Sequence, residues 1–305
     1  MNKLIVTILL LAAVLSSSRA QILTEYEFVT VGNPGNSADD TGFGAVAYAY
    51  NIGKFEVSRG MIEQANAAGN LGITMEDMTS RGGNSANRAA TGVSWNEAAK
   101  FVNFLNSSQG KQVAYNFDAN GDFQIWGTGL YLGNNQFRHK DAYYFLPSLD
   151  EWYKAAYGSS SGNWYNYATG SDIAPAAVTS GTDPGTAVWK QTEAQGPADI
   201  KSAGGLSAFG TMAQGGNVWE WLEDANDRIN DSSAENREVI GGSYFVGDGS
   251  DDLQSQYRVL RDYDINPDGQ NFDIGFRVAS VPEPSALSLL AVGLGVVLRR
   301  RRRTV

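Results

Sequence analysis

The sequence predicts an irregular, loop-rich α+β domain, and three observations lead to that class. Segments with a helical pattern are few, segments with a strand pattern are short and scattered, and much of the rest is Gly, Asn, Ser and Asp. With 35 glycines against 8 prolines, turns rather than stiff linkers punctuate the chain. All seven tryptophans fall between Trp95 and Trp221, which indicates one continuous core. We therefore predict a single domain over residues 24–280.

Two of the three predicted helices begin with the same capping signal. In each, a serine is followed three residues later by a glutamate, which predicts a capping box: Ser94 with Glu97, and Ser148 with Glu151. An amphipathic pattern follows each box. A third helix is predicted over residues 56–68.

The clearest strand signal is a hairpin. Residues 115–118 and 122–126 alternate apolar and polar side chains on either side of Asn120-Gly121, a favoured hairpin turn. Further strands are predicted over residues 143–146, 237–240 and 275–279.

Both ends of the chain have the composition of targeting segments. Residues 1–20 combine Lys3, a short apolar run and small residues before position 21, which describes a secretory signal peptide. At the other end, an uncharged apolar segment at 285–298 precedes an arginine tail at 299–303, a stop-transfer pattern. Fourteen apolar residues are fewer than the ~20 of a spanning helix, so we predict a membrane segment with transient anchoring in the inner membrane.

The charge and the scarcity of metal ligands exclude several functions. Without the two end segments, residues 21–284 carry 16 basic against 33 acidic residues, a net charge of −17, so no nucleic-acid partner is expected. The absence of cysteine excludes disulfides, thiol nucleophiles and iron–sulfur clusters. The one histidine, His139, allows no multi-histidine metal site, and its place between Arg138 and Lys140 predicts a surface position.

Six short segments follow one another in a characteristic order. They occupy residues 52–58, 91–98, 145–152, 215–221 (Gly-Gly-Asn-Val-Trp-Glu-Trp), 241–243 and 275–278. Together they resemble the formylglycine-generating enzyme, or sulfatase-modifying factor, family. The resemblance covers roughly residues 45–280 and implies that family's fold, which is related to C-type lectins.

A second resemblance concerns the end of the chain. Residues 281–305 contain a motif at 281–284 with Pro282, Glu283 and Pro284, then the apolar segment and the arginine tail, and this order resembles the PEP-CTERM sorting signal. The resemblance implies an exosortase-type sorting enzyme as partner, in addition to signal peptidase at the other end. We predict export through the inner membrane, followed by a place in the periplasm, at the cell surface or in the extracellular matrix. An ordinary C-terminal membrane anchor is the alternative.

The family resemblance also implies a calcium site at the fourth segment. Its ligands here would be the carbonyl oxygens of Gly216 and Val218 and the carboxylate of Glu220. Ala213 occupies a position where the family has Asp or Asn, which removes one oxygen ligand. The alternative is a structural strand, with Trp219 on one face and Glu220 in a salt bridge on the other.

The chemistry of the family is absent from this chain. Its oxidase activity depends on two copper-binding cysteines between the last two segments, and residues 244–274 here contain none. We therefore expect no enzyme, no catalytic residues and no cofactor beyond the calcium. The alternatives are an oxidase with altered metal ligation, or a hydrolase that uses acids such as Glu223-Asp224 and Asp251-Asp252, for which a solvated acidic face is the favoured interpretation.

Aromatic residues in a Gly/Ser-rich loop are the remaining ligand-binding candidates. Trp164, Tyr165 and Tyr167 lie beside asparagines, and such rings can stack on sugar faces while the amides bind hydroxyl groups. The favoured interpretation is nevertheless that the rings fill the core of a loop-rich fold. The sequence thus predicts a binding or structural protein, with an extracellular polysaccharide as the candidate partner.

Overall fold

The computed structural model describes residues 26–245, 253–254 and 265–282. Within these ranges the helices are α1 (Arg59–Gly69), α2 (Trp95–Ser108) and α3 (Leu149–Tyr157), with 3-10 turns at Met78–Ser80 and Glu193–Gln195. The strands are β1 (Phe28–Val31), β2 (Tyr50–Gly53), β3 (Asn116–Phe117), β4 (Phe123–Gln124), β5 (Tyr144–Phe145), β6 (Ala176–Ala177), β7 (Thr186–Ala187), β8 (Trp219–Ala225), β9 (Arg237–Ile240), β10 (Ile274–Gly275) and β11 (Ala279–Ser280). The predicted signal peptide, Glu283, Pro284, the apolar segment and the arginine tail lie outside the described residues. A search of the described part for a helix long and apolar enough to span a bilayer found none.

Two sheets carry the fold. One has the strand order β1-β2-β11-β5 and is antiparallel throughout, and the other has the order β10-β8-β9. In the second sheet β8 pairs antiparallel with β9 and parallel with β10. The predicted hairpin is present as the short pair β3-β4, and β6 pairs with β7. The prediction of a loop-rich α+β class is confirmed.

The predicted strand over residues 275–279 is wrong as a continuous element. β10 ends at Gly275 in one sheet, and β11 begins at Ala279 in the other. In between, the carbonyl of Phe276 accepts from Val57 N and that of Val278 accepts from Gly53 N, so the chain crosses from sheet to sheet. This crossing places Arg277 between the two sheets.

Both predicted capping boxes are present at the helix N-termini. In α2 the Ser94 hydroxyl accepts from Glu97 N at 3.3 Å, and the Glu97 carboxylate accepts from Ser94 N at 2.9 Å. Ser148 and Glu151 make the same exchange in α3. α1 begins at Arg59 rather than at Glu56, because Ser58 is its N-cap and the preceding residues are extended.

Loss of the Ser94 cap gives a modest, testable effect. Ser94→Ala removes the acceptor for one α2 amide, so we expect the free energy of unfolding to fall by about 1 kcal/mol. Urea denaturation measures it, with Ser107→Ala in the exposed last turn of α2 as the control. The control should stay within about 0.5 kcal/mol of the parent chain, and an equal loss in both variants would contradict the cap's role.

The largest hydrophobic cluster spans both sheets together with α1 and α2, and two smaller clusters surround Trp152 and Trp189. Two buried indoles join α2 and its N-terminal loop to β8. Trp95 Nε1 donates to the carbonyl of Leu222, and Trp221 Nε1 donates to that of Val93, each at 2.8 Å. These bonds satisfy both polar atoms inside the core, so the rings contribute burial without leaving an unpaired donor.

Candidate functional site

A buried ion pair lies at the crossing between the two sheets. Arg277 Nε donates to Glu220 Oε2 at 2.6 Å, and Arg277 Nη2 donates to Oε1 at 2.5 Å, a bidentate geometry. Both side chains are excluded from solvent. The remaining donors of Arg277 reach the carbonyls of Gly53 and Met212, each at 2.9 Å. Although burial opposes it, the charge of Glu220 raises the pKa of Arg277.

A second carboxyl, that of Glu56, belongs to the same cluster. It accepts from Asn217 Nδ2 at 2.6 Å and from Val218 N at 3.3 Å. Burial, with the nearby charge of Glu220, raises its pKa well above the ordinary value. Glu56 is therefore buried close enough to the Glu220–Arg277 pair to be affected by its charges, although only Glu220 contacts the guanidinium.

The structure assigns Glu220 to the salt bridge rather than to a free ligand position. Besides Arg277, Trp152 Nε1 donates to Glu220 Oε2 at 2.7 Å, so both carboxylate oxygens already have donors. Calcium at Gly216, Val218 and Glu220 would have to displace Arg277 and stays a prediction. Across the described ranges, no group of three or more His, Asp or Glu residues is arranged to hold a metal ion.

The recurring segments meet in this cluster, although they are far apart in the sequence. Glu56 comes from the first segment, Trp152 from the third, Glu220 from the fourth and Arg277 from the last. Gly216 has a φ of +104°, and a Cβ there would lie 2.5 Å from the Val188 carbonyl oxygen. The residues that characterise the segments thus build the scaffold.

A copper-thiolate site does not fit the residues present. The described residues between Ser243 and Gly275 include Tyr244, Phe245 and Asp273, and the whole stretch lacks cysteine. Asp273 accepts from the Ser243 hydroxyl at 2.8 Å, a hard oxygen pair that cannot replace thiolates on Cu(I). Asp251 and Asp252 lie outside the described residues.

The three candidate ligand-binding rings do not form one platform. Tyr167 is buried beside Trp189 and Leu253, and its hydroxyl accepts from Gln254 Nε2 at 2.7 Å. At 5% exposure, Tyr167 agrees with the core-packing interpretation rather than with a ligand-facing ring. Tyr165 is half-buried, and only Trp164 lines one of the cavities described below.

Trp164 forms one wall of a cavity of about 230 Å³. Its ring packs on Tyr153, with the centroids 5.9 Å apart, and lies so close to Gly44 that a Cβ there would be 2.3 Å from the indole. The cavity is also lined by polar residues: Asn33, Asn36, Ser37, Lys154, Ser159 and Asn163. A half-exposed aromatic face beside several amides and hydroxyls is a binding geometry.

A second cavity, of about 430 Å³, opens beside β5 and the start of the C-terminal segment. At its base Arg138 Nε lies 3.2 Å from Glu223 Oε2 and Nη1 lies 3.7 Å from Glu151 Oε1. Tyr115 and Asn135 also donate to Glu223. The favoured interpretation of Glu223-Asp224 as a solvated face is therefore wrong for Glu223, which is fully buried.

Burial sets the protonation of these acids. It raises the pKa of Glu223 to about 7 and that of Asp224 to about 6, with the charge of Arg138 opposing both shifts. His139 was expected at the surface but is only 7% exposed, because its ring packs edge-on against Trp126 at 4.8 Å. No sequence pattern distinguished these buried groups from exposed ones; the nearest signal was the basic run 138–140 in an acidic chain.

The described fold is a loop-rich α+β scaffold in which four of the six recurring segments meet at one buried ion cluster. These features define a class of domain rather than a reaction. Residues 26–281 match the sulfatase-modifying factor enzyme 1-like domain. Because the match covers most of the chain, the protein belongs to that family. Residues 280–303 match the PEP-CTERM protein-sorting motif. A comparison with curated proteins found no match.

Solved structures support the same fold at low sequence identity. CarF is 22% identical with a TM-score of 0.56, and the alignment covers 85% of this chain and 99% of CarF. Variable protein 1 of Treponema denticola is 18% identical (TM-score 0.54, 84% and 95% coverage). PvdO from Pseudomonas aeruginosa is also 18% identical (TM-score 0.50, 84% and 92% coverage). At these identities the similarity concerns the fold alone.

The sorting motif carries the information on location. It indicates export and sorting to the cell envelope or surface, and it implies processing by an exosortase-type enzyme. Pro282 is the last described residue, and it follows β11 and Val281 directly.

Proposed function

We propose that this exported chain is a non-catalytic binding protein, and that its Trp164 cavity holds one sugar ring of an extracellular polysaccharide. The observation that carries the proposal is the half-buried indole that lines a cavity of about 230 Å³ together with residues bearing amide and hydroxyl groups. Aromatic faces stack on the C–H faces of sugars, while amides and hydroxyls exchange hydrogen bonds with sugar hydroxyls.

The size and charge of the site narrow the ligand class. The cavity is smaller than the ~300–1,000 Å³ of pockets for drug-sized ligands, so it suits a single ring or the end of a chain. The net charge of −17 over residues 21–284 disfavours polyanions, which leaves neutral polysaccharides as the expected class. The chain has the family's fold but lacks the family's pair of cysteines, which also favours binding over oxidase chemistry.

A glycan array tests this function, with the purified full-length chain as the probe. We expect retention of a neutral glycan and a loss of affinity of about tenfold or more in Trp164→Ala, because the stacking face is removed. Asn163→Ala, at the exposed rim of the cavity, should weaken the same binding without touching the packing on Tyr153.

The controls separate the cavity from general effects of substitution. Tyr165→Ala changes a half-buried ring that does not line the cavity, and Asn120→Ala changes an exposed amide at the hairpin turn. Both should bind as the parent chain does. If the intact protein retains no glycan, or if Tyr165→Ala and Trp164→Ala lose affinity equally, the proposed site is wrong.

A further inference from the structure

The 430 Å³ cavity beside β5 has the character of an anion site in an otherwise acidic domain. Two basic side chains, Arg138 and Lys140, and the ring of His139 line it, and none of the described residues on its wall is acidic. Residues 21–284 hold twice as many acids as bases, so this grouping of bases departs from the rest of the chain.

Arg138 is held by two carboxylates and one aromatic ring, and part of its side chain remains exposed. Its Nε and Nη1 face Glu223 and Glu151, its plane lies over the Phe145 ring at 3.9 Å, and 18% of the side chain is exposed. An arginine held on three sides loses little conformational freedom when a carboxylate binds its exposed part.

The opposite wall of the cavity is apolar. Leu132 and Tyr48 are exposed at its mouth, at 68% and 46%, and Val281 and Ala142 complete the wall. A ligand that fits both sides must carry one negative charge and an apolar body.

We propose that this cavity binds a monocarboxylate with an apolar group, its carboxylate on Arg138 and its apolar part against Leu132 and Tyr48. The site lies apart from the Trp164 cavity, shares no lining residue with it, and takes a ligand of opposite character. Carboxylate binding at this cavity is therefore independent of carbohydrate binding at the Trp164 cavity.

The carboxylate has two possible sources, and the chemistry of the site is the same for both. One is a free carboxylate in the medium. The other is Glu283 of the sorting motif, which follows two residues after Val281, a reach of at most about 7 Å of extended chain. A tethered carboxylate would compete with a free one through its high effective concentration.

Calorimetry with phenylacetate tests the proposal, with phenylacetamide as the uncharged control ligand. The full-length chain is held in phosphatidylcholine nanodiscs, and empty nanodiscs correct for partitioning. We expect saturable binding of phenylacetate and at least about tenfold weaker binding of the amide.

Substitutions at the mouth of the cavity avoid the buried ion pairs. Leu132→Asp places a negative charge at the entrance and should weaken phenylacetate binding by at least about tenfold, and Lys140→Gln should weaken it several-fold. Ile173→Asp makes the same change at a site that is 79% exposed and outside the cavity, and should bind like the parent chain.

Glu283→Gln distinguishes the two sources. Tighter binding of phenylacetate in this variant identifies Glu283 as the native occupant, and unchanged binding identifies a free carboxylate. The proposal is overturned if neither the parent chain nor Glu283→Gln binds phenylacetate saturably, if the amide binds equally well, or if Leu132→Asp has no more effect than Ile173→Asp.

Discussion

Replacing Arg277 by methionine is expected to lower the free energy of unfolding by about 3–5 kcal/mol, the cost of breaking a buried ion pair on one side. Methionine fills much of the space but donates no hydrogen bond. Glu220 would keep only the Trp152 indole as donor, and the carbonyls of Gly53 and Met212 would lose theirs. Chemical denaturation of the purified variant measures the loss.

Two further variants show whether the loss comes from the uncompensated charge. Adding Glu220→Gln to Arg277→Met removes both charges, so part of the stability should return, a positive coupling in a double-mutant cycle. Arg228→Met is the control, since Arg228 is 40% exposed and lies 3.6 Å from Glu238; its cost should stay below about 1 kcal/mol. A stability of Arg277→Met within 1 kcal/mol of the parent chain would contradict the role assigned to the cluster.

The local features of the fold could be predicted because they depend on neighbours in the sequence. Ser94 with Glu97 and Ser148 with Glu151 satisfy amides within one turn, and both boxes formed as expected. The hairpin around Asn120-Gly121 likewise follows from turn chemistry, although its paired residues are fewer than predicted. The break between β10 and β11 could not be predicted from neighbouring residues, because it depends on the different sheets that the two ends of the predicted strand join.

The candidate sites were harder to predict, because burial depends on distant partners. Glu220 and Arg277 are 57 residues apart, so no periodic pattern shows that each neutralises the other. In the sequence, Glu223 and Asp224 resemble a pair of exposed acids. In the fold, however, Glu223 contacts Arg138 and Tyr115. Trp164 was predicted as a ligand-facing ring and does line a cavity, whereas Tyr167, three residues on, serves the core.

The motif residues therefore indicate the family, whereas the cavity residues indicate where we propose that ligands bind. Residues of four of the six segments, from Glu56 to Arg277, form the buried ion cluster of the scaffold. Neither Arg138 nor Trp164 belongs to these segments. Both residues belong to cavity walls, so similarity of fold alone does not name a ligand.

The second large effect is a pH dependence of stability centred on Glu223. Its folded pKa, raised by burial to about 7, exceeds the ordinary value of 4.5, so the folded chain holds a proton that the unfolded chain releases. The contribution of Glu223 to the free energy of unfolding is fully present below about pH 4.5, and it is lost as the pH rises through about 7. Between pH 5.5 and 8 the loss is about 2 kcal/mol, a fall in Tm of roughly 4–8 °C. Asp224, with a pKa of about 6, acts in the same direction.

Thermal unfolding of Glu223→Gln at pH 5.5 and at pH 8 tests whether Glu223 causes this change in Tm. The amide cannot titrate, so the difference in Tm between pH 5.5 and pH 8 should shrink even if the variant is less stable at every pH, because Tyr115, Asn135 and Arg138 each lose a carboxyl oxygen as partner. Asp77→Asn is the control: hydrogen bonds from Thr79 and Asn84 lower the pKa of Asp77 to about 2, below the window, so its slope should match the parent chain. A parent Tm that stays level or rises from pH 5.5 to 8, or a Glu223→Gln variant with the full slope, would show that the proton is held elsewhere.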